Sequence, residues 1–300
     1  MAESACPGGA VVVGVVVAFH PQQRVLGDLL ERLAPQVAST VLVDNTPGGA
    51  AGLPADTRVI GRNVGLAAAL NVGIAQAWQR GATHVLLCDQ DSLPAPGMVR
   101  TLLDAEAGLL ARGVPLAAVG PVYADLHSGR PRSVKLAGRW WPRHAYPRAD
   151  DAPLEVLGLI TAGTLIRREA FDAIGPMREE LFIDRVDTEW CQRALRLGRV
   201  LYVVPAASLL QRMGEAALRL PGGVLVSSYG PERIYYQVRN LLALWRDGSL
   251  PPGIVLLGAA GVLLGIAARL LRGPRRAATA SLAWRGFRDG LRGRLGALTD

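Results

Sequence analysis

The chain has 300 residues, half of them apolar, so it is long enough for one large domain or two ordinary ones and can build a sizeable core, which excludes a disordered protein. Its three cysteines, Cys6, Cys88 and Cys191, are scattered and odd in number, which argues against a disulfide framework and a zinc site and fits a reducing cytosol. The formal charge of +8 gathers at one end, where eight arginines between Arg269 and Asp300 face only Asp289 and Asp300, so it gives no general case for nucleic-acid binding.

The opening segment "MAESACPGG" has no cationic stretch ahead of its apolar run, and residues 10–19, "AVVVGVVVAF", read as a strand covered on both faces rather than as a signal peptide. "TVLVDN" (40–45) repeats the pattern and ends near Asp44, and "TRVIGRN" reads as a third strand. Residues 65–79 read as a helix, 83–88 as a fourth strand and 96–112 as another helix. Strands alternating with helices imply a mostly parallel sheet whose ligands gather beyond the carboxyl ends of the strands, where Asp44, Asn63 and Asp89 fall.

The fourth strand runs into "LLCDQDSLPAPG", in which two acids flank one glutamine. In an extended strand Asp89 and Asp91 would share a face roughly 7 Å apart, an arrangement that invites a cation. The alternative is a pair of turn-forming aspartates satisfied by main-chain amides. Similarly, Asn63 with Gly65 before a helix start suits a phosphate or an N-cap, and Asp44 suits a nucleobase contact or a turn. Asn71, mid-helix where Asn is a poor helix former, needs a partner, either a ligand or a structural bond.

Beyond "AAVGP" (117–121) periodicity loosens, and residues 124–152 read as a long irregular loop. Order returns at 157–171, 181–198 and the strand 199–205; residues 206–231 are loop-like, and a helix covers 231–246. "FIDRVDTEWCQRA" gathers Asp184, Asp187 and Glu189 at a helix start, more acids than capping or the helix dipole requires. His20, His84, His127 and His144 lack metal-ligand spacing and read as loop or core residues. Residues 253–268 carry no charge over sixteen positions, short of the roughly 20 apolar residues of a spanning helix, and with the basic tail they read best as an in-plane helix on an anionic membrane surface. A buried core helix is the next alternative, and a span reaching Leu271 would require Arg269 to snorkel.

Taken in order, "VAFHP", "VLVDN", "GRNVGLAAALNVGI", "LLCDQDSLPAPGM", "AAVGP", "LITAGTLI", "GPMREELFIDRVDTEWCQRA", "LYVVP", "IYYQVRN" and the closing "RGFRDGLRGRLG" resemble the bacterial rhamnosyltransferases of glycosyltransferase family 2. The resemblance runs from about residue 11 to 294. It implies a GT-A fold, an α/β architecture with a mostly parallel sheet flanked by helices. Residues 10–230 would form the catalytic domain, with a nucleotide-sugar half at 10–121 and an acceptor half at 122–230, and 231–300 a helical, membrane-associated extension. It further implies an inverting transferase that uses a nucleotide sugar, dTDP-L-rhamnose in most relatives, with Mg2+ or Mn2+. The acceptor would be a glycan on a polyprenyl diphosphate at the cytoplasmic face of the cell membrane.

Residue by residue, Asp89 and Asp91 match the family's D-x-D, Asp91 as direct metal ligand and Asp89 nearer the ribose or a metal-bound water. Asp44 and Asn63 match donor-base and ribose contacts, with Arg62 and Asn71 beside them. Asp187 matches the catalytic base, with Glu189 and Trp190 lining the acceptor side. Thr161, Ala162 and Gly163 match a strand facing the acceptor, and Arg239 would either meet an anionic diphosphate or serve packing or surface pairing. Relatives often place a metal-completing His after the "YVVP" strand; here Gln211 stands at that place, a hard neutral oxygen ligand weaker than imidazole for manganese. Two other classes compete. An aspartate-nucleophile phosphatase would want a downstream lysine and a later acidic pair, yet the only lysine, Lys135, lies in the irregular loop, and a non-catalytic sugar- or membrane-binding relative would follow if Gln211 abolished metal binding.

Overall fold

The computed structural model describes residues 9–126, 129, 131–137, 142–211, 218–219, 225–226, 230–272 and 275–299. Its elements in chain order are β1 (Val12–Ala18), α1 (Gln23–Leu33), β2 (Ser39–Asp44), β3 (Arg58–Val59), α2 (Leu66–Gln79), β4 (His84–Asp89), β5 (Ser92–Pro94), α3 (Met98–Ala111) and β6 (Leu116–Asp125). There follow β7 (Val134–Leu136), β8 (Arg143–Ala145), β9 (Leu154–Val156), β10 (Leu165–Arg167), α4 (Arg168–Ile174), α5 (Val186–Arg196) and β11 (Val200–Gln211). Short strands β12 (Leu218–Arg219) and β13 (Leu225–Val226) precede α6 (Pro231–Arg246), α7 (Pro252–Arg272) and α8 (Arg276–Arg292).

One sheet carries the order β3-β2-β1-β4-β10-β6-β11-β5, with β9 also pairing β11. Every residue of β1 is buried because both faces are covered. Val13, Val15 and Val17 pack with Ala67, Leu70 and Ile74 of α2. Val12, Val16 and Ala18 pack on the other side with Leu26, Leu29 and Leu33 of α1 and with Met98 and Leu102 of α3. The approach of α2 is close enough that a Cβ on Gly73 would stand 2.5 Å from Val15 Cγ1, so this position requires glycine. Parallel register sets Ala18 beside Asp44 and Val17 beside Asp89, which brings the carboxyl ends of β2 and β4 to one edge of the sheet.

The expected alternation of strand and helix is present, with three differences. The third strand shrinks to two exposed residues on the sheet edge. The segment read as an irregular loop contains the β7–β8 hairpin and β9 follows just beyond it, strands of three residues each, too short to show a period. Third, β10 is inserted antiparallel between β4 and β6, and β5 and β9 also run antiparallel to β11, so the sheet is mixed on its acceptor side. Residue 121, the expected boundary between halves, lies inside β6.

At the other end of the chain α8 docks on α6 through glycines: a Cβ on Gly286 would stand 2.6 Å from the Tyr235 carbonyl oxygen, and one on Gly290 2.7 Å from that of Arg239. Asp289 is buried between them, accepts from Tyr235 Oη at 3.2 Å and pairs with Arg288 at 3.3 Å. The residues beyond α8 return to the catalytic domain, with Gly296 N–H donating to the Glu180 carbonyl at 2.7 Å and Leu298 N–H to Tyr236 Oη at 2.8 Å. Part of the basic tail expected at a lipid surface therefore serves packing. Arg269 likewise folds inward and donates to the Gly265 carbonyl at 2.9 Å instead of snorkelling. Helix α7 packs against both α6 and α8 and is long and apolar enough to cross a membrane, with mean hydropathy 2.3 over Pro252–Leu271.

Candidate active site

Strand β4 ends at Asp89, and Gln90 and Asp91 form a turn before β5, so the two acids are not successive residues on one strand face as the extended reading had them. The turn is fixed by Gln90, whose side-chain oxygen accepts from Phe19 N–H at 2.7 Å and whose amide donates to the Phe19 carbonyl at 3.2 Å. Gln211, at the end of β11, donates its side-chain amide to Asp89 Oδ2 at 2.8 Å. The Asp89 carboxyl is pushed up to about 7 by burial first, then by the charges of Asp91 and Asp187, while Arg233 and the Gln211 bond act against the rise. Two carboxylates and a third nearby, short of positive charge, are a donor set that suits a hard divalent cation. Asp89 and Asp91 are the residues that would hold it; among the described residues no group of three or more acidic, histidine or cysteine side chains has metal-holding geometry. Gln211, oriented as a donor, is placed to support Asp89 rather than to offer an oxygen.

Asp187 is the second residue of α5, and it lines a cavity of ≈160 Å³ together with Tyr123, Lys135, Ala162, Thr164, Thr188 and Ile254. That is well under the ~300–1,000 Å³ typical of drug-sized sites and suits one small polar ring. Its carboxyl is raised above the ordinary range by burial first and also by Asp184, against which the N–H and hydroxyl of Thr188 and the charge of Arg185 stabilise the ionised form. A raised carboxylate in a cavity has the basicity a proton acceptor requires.

The segment before α5 is strained. Phe182, Asp184 and Arg185 have φ of 66°, 65° and 62°, a left-handed conformation costly for residues with side chains. It is held from two sides. The Phe182 carbonyl accepts from Leu66 N–H at 2.6 Å, and Gly65 leaves room for this, since a Cβ there would stand 2.7 Å from that oxygen. From α6, Asn240 donates to the carbonyls of Leu181, Ile183 and Asp184 at 3.0, 2.8 and 2.8 Å. Arg233 donates from Nε to both Asp184 oxygens at 3.1 and 3.0 Å.

Several expected contacts go elsewhere. Asp44 is fully buried, and its oxygens accept from Thr46 N–H at 3.0 Å and Ala50 N–H at 2.6 Å, the turn role. Asn71 bonds the main chain of Met177 in both directions at 2.9 Å, which accounts for a mid-helix Asn without a ligand. Glu189 is buried against Arg193 at 3.0 Å, and Trp190 is a core residue donating to the Gly175 carbonyl at 2.9 Å, so neither lines an acceptor site. Arg239 is fully buried over Tyr236, 4.8 Å from the ring centroid, and donates to the Leu181 carbonyl at 2.8 Å; it holds the strained segment and meets no diphosphate. Thr161 is buried and Gly163 packs on Pro121, while Ala162 and Thr164 face the cavity from a turn rather than a strand. Arg62 and Asn63 line a separate open groove of ≈610 Å³ with Phe182, Gly296 and Ala297, and Asn63 Oδ1 accepts from Gly65 N–H at 3.0 Å instead of capping a helix. His127 lies outside the described residues; His84 is buried against Glu106 at 2.8 Å.

No protein-family model matches the chain. A curated relative, the dTDP-rhamnosyl transferase RfbF of Shigella flexneri, is 31% identical over 252 residues, covering 80% of this chain and 81% of the relative. Among solved structures, GalNAc-T7 crystallised with UDP, GalNAc and Mn2+ is similar in fold, with TM-score 0.56 and 15% identity over 88% of this chain. The chain spans 58% of that protein's length, and the likeness bears on fold alone. The sheet and the acids at its carboxyl edge thus define a GT-A glycosyltransferase, a nucleotide-sugar enzyme acting on a glycan acceptor. The chain belongs to the bacterial rhamnosyltransferases of glycosyltransferase family 2. This assignment removes the phosphatase reading.

Proposed function

We propose that the enzyme transfers L-rhamnose from dTDP-L-rhamnose, with inversion, to a lipid-linked glycan at the cytoplasmic face of the membrane. The observation that carries the reading is Asp187 lining a small cavity while its charge reaches Asp89 of the acid pair. The acceptor hydroxyl enters from the cavity and gives its proton to Asp187 as its oxygen attacks the anomeric carbon. The bond from that carbon to the diphosphate breaks on the opposite side, which inverts the configuration. Asp89 and Asp91 would hold a divalent cation, which when bound supplies positive charge to the leaving diphosphate. The small cavity that Asp187 lines leaves little room for water beside a bound acceptor hydroxyl.

Membrane association is supported by the exposed apolar side chains of α7 and α8. Leu256, Leu263 and Leu271 on α7 and Trp284 on α8 are each more than half exposed. The donor is tested by measuring nucleotide-diphosphate release from a panel of nucleotide sugars, with and without Mn2+ or Mg2+, with membranes as acceptor source. Metal-dependent release selective for dTDP-L-rhamnose supports the reading, and equal release from UDP-hexoses would overturn it.

A further inference from the structure

Residues 126–149 hold five arginines, the chain's single lysine and no acid, a run of charge that the catalytic reading leaves without a use. A block of like charges is most often a solvated face, and the position of this one argues otherwise. The β7–β8 hairpin sets Lys135 opposite His144, and strand alternation puts Ser133 on the same side, with Ser133 Oγ 3.0 Å from His144 Nδ1. Val134 is buried in the core and anchors the hairpin. Ser133 and Lys135 both line the Asp187 cavity, and among the described residues Lys135 is the one cation in its wall.

Other polar groups of that wall are engaged within the protein. Gln192 donates to the Leu157 carbonyl at 2.6 Å, the Thr164 hydroxyl to that of Ile160 at 2.5 Å, and the Thr188 hydroxyl to Asp187 at 3.3 Å. The cavity is therefore polarised, with a proton acceptor on α5 and an ammonium on β7. Burial first, then Arg185, holds that ammonium below its ordinary value, and the charge of Asp187 acts against them. A second negative group in the cavity would act in the same direction as Asp187. An ammonium has three donors and no acceptor, so it calls for an oxygen on the ring beside it, and pairs most strongly with a carboxylate.

We propose that the cavity selects an acceptor sugar bearing a carboxylate, a uronic acid in kind, and that Lys135 is the residue that reads it. The inference rests on the glycosyltransferase reading above and names the acceptor class which that reading leaves open. One ring sits between α5 and the hairpin, its nucleophilic hydroxyl toward Asp187 and its carboxylate toward Lys135 beside Ser133. Tyr123, Leu159 and Ile254 flank the ring. Arg132 and Arg143, exposed on the hairpin, draw an acidic glycan toward the mouth.

The test uses the full chain with methyl glycosides of glucuronic, galacturonic and mannuronic acid, each beside its neutral hexoside, in ligand-observed NMR titrations. Single sugars serve because the basic tail would also attract a polyanion. At least one uronide is expected to bind about tenfold or more tighter than its neutral counterpart, and the preference to shrink as salt is raised. Lys135→Gln should abolish the preference and Lys135→Arg keep part of it, while Arg292→Gln, on the exposed end of α8, leaves it whole. Lys135 is exposed, so its variants are expected to fold. No uronide preference in the wild type, or a preference that survives in Lys135→Gln, overturns the proposal. If Lys135→Gln loses anionic vesicles while keeping the uronide preference, the hairpin belongs to lipid and the proposal fails. Binding of dTDP with Mn2+ on the same preparations separates the two readings. When dTDP binds and no uronide is preferred, the acceptor assignment alone is wrong; a Lys135-dependent preference without dTDP binding contradicts the donor reading and upholds this one.

Discussion

Asn240 donates its side-chain amide to the main-chain carbonyl of Asp184 at 2.8 Å, and through that bond a helix of the C-terminal extension governs the backbone that aims Asp187. The same nitrogen lies within hydrogen-bond distance of the Leu181 and Ile183 carbonyls, so its two N–H groups are shared among three carbonyls of a strained turn. Replacing it by Leu strands those acceptors. Asn240→Leu is expected to lower stability by about 2–4 kcal/mol and, below the melting transition, to lower kcat with donor affinity little changed. Denaturant melts together with dTDP calorimetry and initial rates check this; unchanged kcat in a folded variant would show that the turn does not need α6.

The raised Asp89 carboxyl makes a stability prediction with a definite sign. The unfolded chain ionises this group near 3.8 and the folded chain near about 7, so the folded state holds its proton more tightly. Without metal, this group's contribution to stability falls as pH rises from about 4 to 7, then levels off. Asp89→Asn should therefore stabilise the metal-free enzyme at pH 8, by on the order of 1–3 kcal/mol, and have little effect near pH 4, while abolishing metal-dependent dTDP binding. Melting curves at both pH values decide it. Destabilisation at pH 8 would mean that the carboxylate is satisfied without a cation.

Gln211 supports the ionised form of Asp89 through one hydrogen bond. Gln211→Leu removes the donor and should push the Asp89 carboxyl higher, so that Mn2+-dependent dTDP binding sets in at a higher pH than in the wild type. Since metal competes with the proton, the midpoint should move down again as Mn2+ is raised. A pH series of binding isotherms at two metal concentrations checks both shifts. If the midpoint stays where the wild type has it, Gln211 does not tune the site.

The exposed apolar face of α7 predicts lipid association that depends on side chains the fold does not use. Leu263 and Leu271 are 65% and 69% exposed, so Leu263→Asp with Leu271→Asp should leave the melting temperature unchanged and shift the enzyme from anionic vesicles to the supernatant in co-sedimentation. Equal sedimentation of the double variant would place the contact elsewhere.

Much of the fold was legible because long β-branched runs and helical periods report burial directly: β1, α2, β4 and α6 fall where their patterns put them, while α1 was not read. The acid pair and Asp187 drew notice in the sequence because like charges at a strand end and a helix start have few structural uses, and the structure brings them near one another, Asp187 lining the cavity and its charge acting on Asp89. Less visible was which polar residues serve the fold. Asn71, Trp190 and Arg239 satisfy main-chain partners that are remote in sequence, and nothing local distinguishes such a bond from a ligand contact; only Glu189, paired with Arg193 one helical turn on, carried a local signal. For the same reason the supporting roles of Gln90 and Asn240 went unread, although Gln90 stood between the two acids and Asn240 followed Arg239 in a quoted motif.

The central claim is that Asp187 takes the acceptor proton during transfer from dTDP-L-rhamnose, and turnover of Asp187→Asn tests it most directly. The substitution keeps the size and the bonds to Thr188 but removes basicity. Measured with saturating donor, Mn2+ and membrane acceptor, kcat is predicted to fall by roughly 10²- to 10⁴-fold while the dTDP dissociation constant stays within about threefold of wild type. A variant that turns over at nearly the wild-type rate would contradict the account.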